Sequence, residues 1–200
     1  VPREQALVAA ICAILIASVV INLALFLTAR SGVDIVWSHD ARFLRAEQDH
    51  DSWKAMETAR AYARTHSNDL YEQLFFVDAV KFQYPPTALL LFGNLERPAL
   101  NLISWIATLI AAGLVAAILR KAIAIDWNDD VRQPAAAALA LDGLVVLAAL
   151  TFYPFIKAYS LGQIQMWLNV LFATVVLAWM IGAPGVAGAA LGLMCLVKPT

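Results

Sequence analysis

The sequence predicts an all-α fold: a polytopic bundle of about five membrane-spanning helices, with further helices lying at the bilayer interface. Three observations predict it. Of 200 residues, 62% are hydrophobic and 14% charged, with a mean hydropathy of +0.71, too few polar groups to cover a water-soluble surface. Several apolar runs approach or reach the roughly 20 residues that cover a hydrocarbon core of about 30 Å. The charged residues are collected in blocks between those runs, as loops between spans would be.

The first apolar run, 6–27, is interrupted only by Ser18 and Asn22 and is expected to be a retained span, since a secretory signal has a shorter apolar core. Residues 28–98 form a large external segment carrying most of the charge. Within it Trp37, Phe43 and Leu44, then Trp53, Met56 and Tyr62, recur at helical spacing among charges. That pattern fits one or two interfacial helices resting an aromatic face on lipid headgroups, or equally loop helices packed on the protein. Tyr84-Pro85-Pro86 breaks the chain, because proline donates no backbone hydrogen bond and holds its predecessor extended. A short helix from Thr87 to Leu95 is expected next, then a span at 99–119. A polar connection containing Arg120, Lys121 and Arg132 ends at Pro134 and opens a third span, 135–153. A turn from Pro154 to Gly162 precedes a fourth span at 163–181, and Gly182-Ala183-Pro184-Gly185 turns the chain into a short, glycine-rich fifth at 186–197.

Positive charge in short loops sets orientation. Arg120, Lys121 and Arg132 place the second connection in the cytoplasm, against the weaker vote of Lys157, and so put the first loop, the turn around Lys157 and Lys198 together on the non-cytoplasmic face of a cell membrane. A net charge of −1 gives no basic excess for nucleic acid. Cys12 and Cys195 both lie in apolar runs, where a small buried thiol is the ordinary reading. Because the chain begins at Val1 and stops just after Lys198-Pro199, it is expected to be the front part of a longer domain.

Four stretches carry a resemblance. They are Ser31-Gly32-Val33-Asp34 after the first span, Phe82-Gln83-Tyr84-Pro85-Pro86-Thr87-Ala88-Leu89-Leu90 at the end of the loop, Gly162-Gln163-Ile164-Gln165 entering span four, and Leu196-Val197-Lys198-Pro199 closing span five. Taken in order, the chain resembles the N-terminal half of glycosyltransferase family 87, membrane enzymes of the GT-C fold that take sugars from polyprenyl-phosphate donors. The interior of the first loop, Glu47 to Val80, does not match that pattern. The resemblance implies a mannosyltransferase-like activity, with arabinofuranose as the next candidate sugar, and a lipid-linked or cell-envelope glycan as acceptor.

Inverting transfer onto a hydroxyl needs one carboxylate to take the proton, and cations or dipoles to meet the charge on the departing lipid phosphate. Asp34, just beyond the first span, is the expected general base, a role the resemblance implies from its Gly-x-Asp context; the competing reading is a solvated helix end. Lys198 is the first candidate for the donor phosphate, since a lysine closing a span needs an anion to balance it, with Arg30 and Lys157 behind it as phosphate ligands or interface anchors. Tyr84, Gln163, Gln165 and Asp40 are the substrate-binding candidates. No cofactor is expected and no metal site is assigned, although Asp49-His50-Asp51 could hold a divalent ion if it is not simply a solvated face. Asp142, alone among ionisable residues deep in a span, is expected to be structural here but is the residue a transporter or flippase would use. An accessory membrane subunit without chemistry is the third possibility.

Overall fold

The structure is a computed structural model that describes residues 3–28, 36–66, 68–92, 95–126 and 135–198. Helix accounts for 81% of these residues and no strand occurs among them, so the all-α class holds. In chain order the helices are α1 (Arg3–Thr28), α2 (Val36–Leu44), α3 (Asp51–Ala63), a π-helical turn (Glu72–Val77), α4 (Pro86–Phe92), α5 (Arg97–Asp126), α6 (Ala135–Leu150), α7 (Tyr153–Ser160), α8 (Gln165–Met180) and α9 (Pro184–Val197).

The expectation of five spans is met more coarsely. Among the described residues one helix, α5 over Arg97–Ile123, is long and apolar enough to cross a bilayer, and a second span results if α6 and α7 act together across their 60° bend. Ala9–Leu25 in α1, α8 and α9 are apolar but shorter. The outer faces of these helices carry Ile14, Val20, Leu27, Leu102, Ile110, Phe172, Trp179 and Leu191, each more than a third exposed. Apolar surface of this extent marks contact with lipid or with other protein.

Small side chains let the helices approach closely. On α5 the buried positions Ser104, Ala107, Thr108, Ala111 and Ala112 recur at helical spacing; α5 packs along α8 and α8 along α9, with Ala173 and Ala178 buried on α8 and Ala187 and Ala190 on α9. A second contact runs α1 to α6 to α5, where Ile11, Cys12 and Leu15 meet Leu141 and Val145, and these meet Ala116 and Ile123.

The ends of the helices gather into two cores. Trp53, Met56 and Ala59 of α3 pack with Leu70, Leu74, Phe82, Phe92, Leu100, Ile164 and Val197, while Val36 and Phe43 of α2 pack with Ile156, Tyr159 and Met166. The aromatic residues expected to rest on lipid are therefore turned into the protein: Trp53 is 1% and Phe43 6% exposed, with Leu44 left outside. Of the two coverings that their helical spacing left open, lipid headgroups or the rest of the protein, the second is found, because periodicity marks an apolar face without saying what covers it.

The segment expected as a turn from Pro154 to Gly162 is instead mostly helix α7. Pro154 sits in its first turn, where the missing N–H has no helical acceptor to lose, so this proline starts a helix. Pro86 likewise opens α4, described as Pro86–Phe92, and Leu95, the expected end, is not helical.

Candidate functional site

A backbone strap builds the polar end of the bundle. The linker between α2 and α3 runs beside the turn between α7 and α8: Asp49 N–H donates to Ser160 O (2.7 Å), Asp51 N–H to Leu161 O (3.0 Å) and Ser52 N–H to Gly162 O (3.2 Å). Gly162 makes this possible. Its φ is +68°, and a Cβ there would fall 1.9 Å from Asp49 O, so the chain can both reverse and touch only without a side chain. From the far side Gln48 Nε2 donates to Asn101 Oδ1 (2.6 Å), Trp105 Nε1 to Phe43 O (3.0 Å) and Trp167 Nε1 to Ser104 Oγ (3.1 Å), fixing the strap to α5 and α5 to α8.

The strap brings two expected residues into one network. Ser52 Oγ shares a 2.7 Å hydrogen bond with the Tyr84 hydroxyl and accepts from Ile164 N–H (3.1 Å), and Gln163 Nε2 donates to Asp51 Oδ2 (3.2 Å). Burial raises the Tyr84 hydroxyl above its ordinary pKa, an effect the Ser52 hydrogen bond partly offsets. Thr87 Oγ1, three residues after Tyr84, donates to Leu196 O (2.6 Å), so α4 rests on the last turn of α9 and Lys198 emerges at the same end. Lys198 is half-buried and has no ion pair among the described residues.

Around α2 and α7 lies a second polar group. His39 Nδ1 is hydrogen-bonded to Ser160 Oγ, both buried, and the His39 ring stands edge-on to Tyr153 at 5.7 Å. Lys157 Nζ donates to the Tyr153 hydroxyl (2.5 Å). Asp40 shares the flank of α2 with Trp37, whose indole N–H donates to Asn22 O on α1 (3.0 Å). Half-burial pushes the Asp40 carboxyl up to about 6, close to neutrality for a group that ordinarily ionises near 3.8.

Other expected residues behave differently. Asp34 and Arg30, with the rest of 29–35, lie outside the described residues, as does Pro199. Gln165 turns away from the network, donating to Asn169 Oδ1 one turn along α8 (3.1 Å). The acidic triplet splits in three directions. Asp49 is held bidentately by Arg42 (2.6 and 2.9 Å), which keeps its carboxyl below the usual range; Asp51 receives Gln163; and the buried Nδ1 of His50 has no described partner. No group of three or more His, Cys, Asp or Glu side chains that could hold a metal ion gathers among the described residues. Asp142 lies 3.1 Å from Arg120 Nε at the opposite end of the bundle, out of line for a hydrogen bond.

Ser52, which ties Tyr84 to α8, and Arg42, which anchors Asp49, were not singled out from the sequence. Ser52 follows Asp51 at a helix start, the usual place for a serine to bond nearby backbone, and that was the available signal. Beneath the network runs an apolar groove of about 380 Å³ between α5, α8 and α9, lined by Ile103, Ile106, Ile110, Val170, Leu171 and Leu193, with Phe92, Trp167 and Val197 at its polar end. Phe92 and Trp167 meet edge to face at 4.8 Å, and Trp53 lies 5.8 Å from the first and 6.1 Å from the second, an aromatic cluster between α3, α4 and α8. Compared with protein-family models, with curated proteins and with solved structures, the chain matches none of them.

Proposed function

We propose that the chain is part of a membrane-embedded glycosyltransferase that moves a hexose, mannose first, from a polyprenyl-phosphate donor onto a glycan acceptor at the non-cytoplasmic face. The observation that supports this reading is the placement of a polar network next to one end of an apolar groove. A donor whose tail is hydrocarbon and whose head is a sugar phosphate needs both, in that order. Its isoprenoid chain would enter between α5, α8 and α9 from the lipid. Its phosphate would then lie at the level of Lys198, which emerges one residue after the groove-lining Val197.

Asp34 is the proposed general base, and Tyr84 and Gln163 the groups that orient sugar or acceptor hydroxyls. Asp40 supports a second assignment of the proton. A carboxylate near pH 6 is better matched to accept a proton at neutral pH than an ordinary aspartate, because its basicity is higher while it remains mostly ionised. Whichever aspartate acts must be ionised, so turnover should rise with pH. If Asp40 is the base, kcat/KM climbs through about pH 6 and levels above it.

The test is transfer from a radiolabelled polyprenyl-phosphate sugar by the full-length protein and its Asp34→Asn and Asp40→Asn variants. Loss of the base should lower kcat by about 10² to 10⁴. A loss confined to Asp40→Asn, together with an apparent pKa near 6 in the unsubstituted enzyme, moves the base from Asp34 to Asp40. Unchanged turnover in both variants removes the mechanism.

A further inference from the structure

The chain between α3 and α4 ends in an apolar tip that the rest of the protein leaves bare. Phe75, Phe76 and Val77 are 45%, 79% and 66% exposed, consecutive, and carried on the π-helical turn Glu72–Val77. The turn is held open by Asp78 N–H donating to Gln73 O (2.9 Å) and Gln73 Nε2 donating to Asp78 Oδ1 (3.1 Å). It closes through Ala79 at φ +55°, a left-handed conformation that is unfavourable for a residue with a Cβ. A widened turn with strained closure keeps two phenylalanines, edge to face at 5.4 Å, on the outside of the loop.

Two observations identify what covers them. The first is depth. Leu74, immediately before the tip and 1% exposed, packs in the same core as Leu100 near the start of α5, Ile164 before α8 and Val197 at the end of α9. The tip is thereby fixed at the level where the apolar helices end. The second is continuity. Tyr71 donates its hydroxyl to Tyr84 O (2.7 Å), Tyr84 leads into α4, and α4 rests on the last turn of α9. Leu90 on α4 is 79% exposed and Leu196 on α9 44% exposed, extending the bare apolar surface of the bundle along that path.

We infer that Phe75, Phe76 and Val77 insert into the headgroup region of the bilayer and anchor the α3–α4 loop to the lipid surface beside the groove. The inference rests on the membrane reading of the helices. Membrane contact, sought at α2 and α3 from their aromatic spacing, is assigned to this turn. Aromatic rings suit that depth, where one side is apolar and the other wet. The flanking Asp69, Glu72 and Asp78 carry the wrong sign to seek anionic lipid, so the partner is the interface of a zwitterionic bilayer.

Site-directed nitroxide labelling tests it. The full chain, with Cys12→Ser and Cys195→Ser, is reconstituted in phosphatidylcholine vesicles and labelled at Phe76→Cys, at Phe172→Cys on the exposed apolar face of α8, or at Ala61→Cys on the exposed face of α3. Collision rates with oxygen, which enters lipid, and with a nickel chelate, which does not, are then compared. The expected oxygen-to-nickel ratio at 76 is several-fold above that at 61 and below that at 172. A ratio at 76 equal to that at 61, with 172 still lipid-like, overturns the inference and leaves the membrane reading standing. Low accessibility at 76 to both reagents means that protein covers the tip and also overturns it. A water-like ratio at 172 removes the membrane reading itself.

Discussion

Two glycines with nearly the same backbone show how differently one residue type can be required. Gly162 (φ +68°) and Gly182 (φ +74°) each end a helix in the left-handed conformation, with Gln163 N–H returning to Ala158 O (3.0 Å) and Ala183 N–H to Ala178 O (2.8 Å). An added Cβ meets nothing within 4 Å at Gly182, whereas at Gly162 it collides with Asp49 O at 1.9 Å. Gly182→Ala should therefore cost only the left-handed backbone, about 1 kcal/mol. Gly162→Ala adds a clash between two backbones and should cost about 2 to 5 kcal/mol, with the strap pushed open. Thermal unfolding in detergent checks the ranking, and equal losses would mean that the strap is not closed in solution. At this scale the sequence was partly legible. A glycine after an apolar segment announces a turn, so both reversals could be read. The partner of Gly162 lies 113 residues away, at Asp49, and no local pattern encodes that approach.

Among the elements, α7 and the α2–α3 linker decide the architecture of the polar end, and they were the hardest to read. Helix α7 has only eight residues and begins at Tyr153-Pro154, a pair that reads as a break until the proline is placed in the first turn. The long apolar helices were legible because composition alone identifies them, and α8 and α9 fall within two residues of their expected starts. The pairing of α5 with α6 supplies a test of the competing transport reading. Arg120 is 53% exposed and Asp142 23%, and their contact is out of line for a hydrogen bond, so the pair should resemble a surface ion pair more than a buried one. Asp142→Asn keeps the shape and removes the charge. It should shift stability by less than about 1 kcal/mol and leave glycosyl transfer unchanged. A variant that retains its fold but loses transfer, or that fails in transport of a lipid-linked substrate, would return Asp142 to the centre of the function.

For the whole molecule, the direction of insertion determines whether the proposed chemistry can occur at all. The C-terminal ends of α1, α6 and α9 and the N-terminal ends of α5 and α8 lie at one end, joined by the strap, the Ser52 network and the Thr87 contact, while Arg120 and Lys121 lie towards the other. Short-loop charge predicts that the end bearing Arg120 and Lys121 is the cytoplasmic one. The division was legible because five apolar runs of alternating direction leave little choice of which ends coincide; the groove was not, since it arises from the shapes of three helices in contact. A membrane-impermeant maleimide applied to intact cells expressing the full-length protein, with Cys12→Ser and Cys195→Ser, reads the direction from single new cysteines. Ala61→Cys on the exposed face of α3 should label before lysis, and Asp129→Cys in the connection between α5 and α6 only after it. The reverse pattern would put Tyr84, Gln163 and Lys198 in the cytoplasm. Donor and acceptor would then have to meet on the other leaflet, and a transferase acting at the non-cytoplasmic face would be excluded whatever the aspartate variants do.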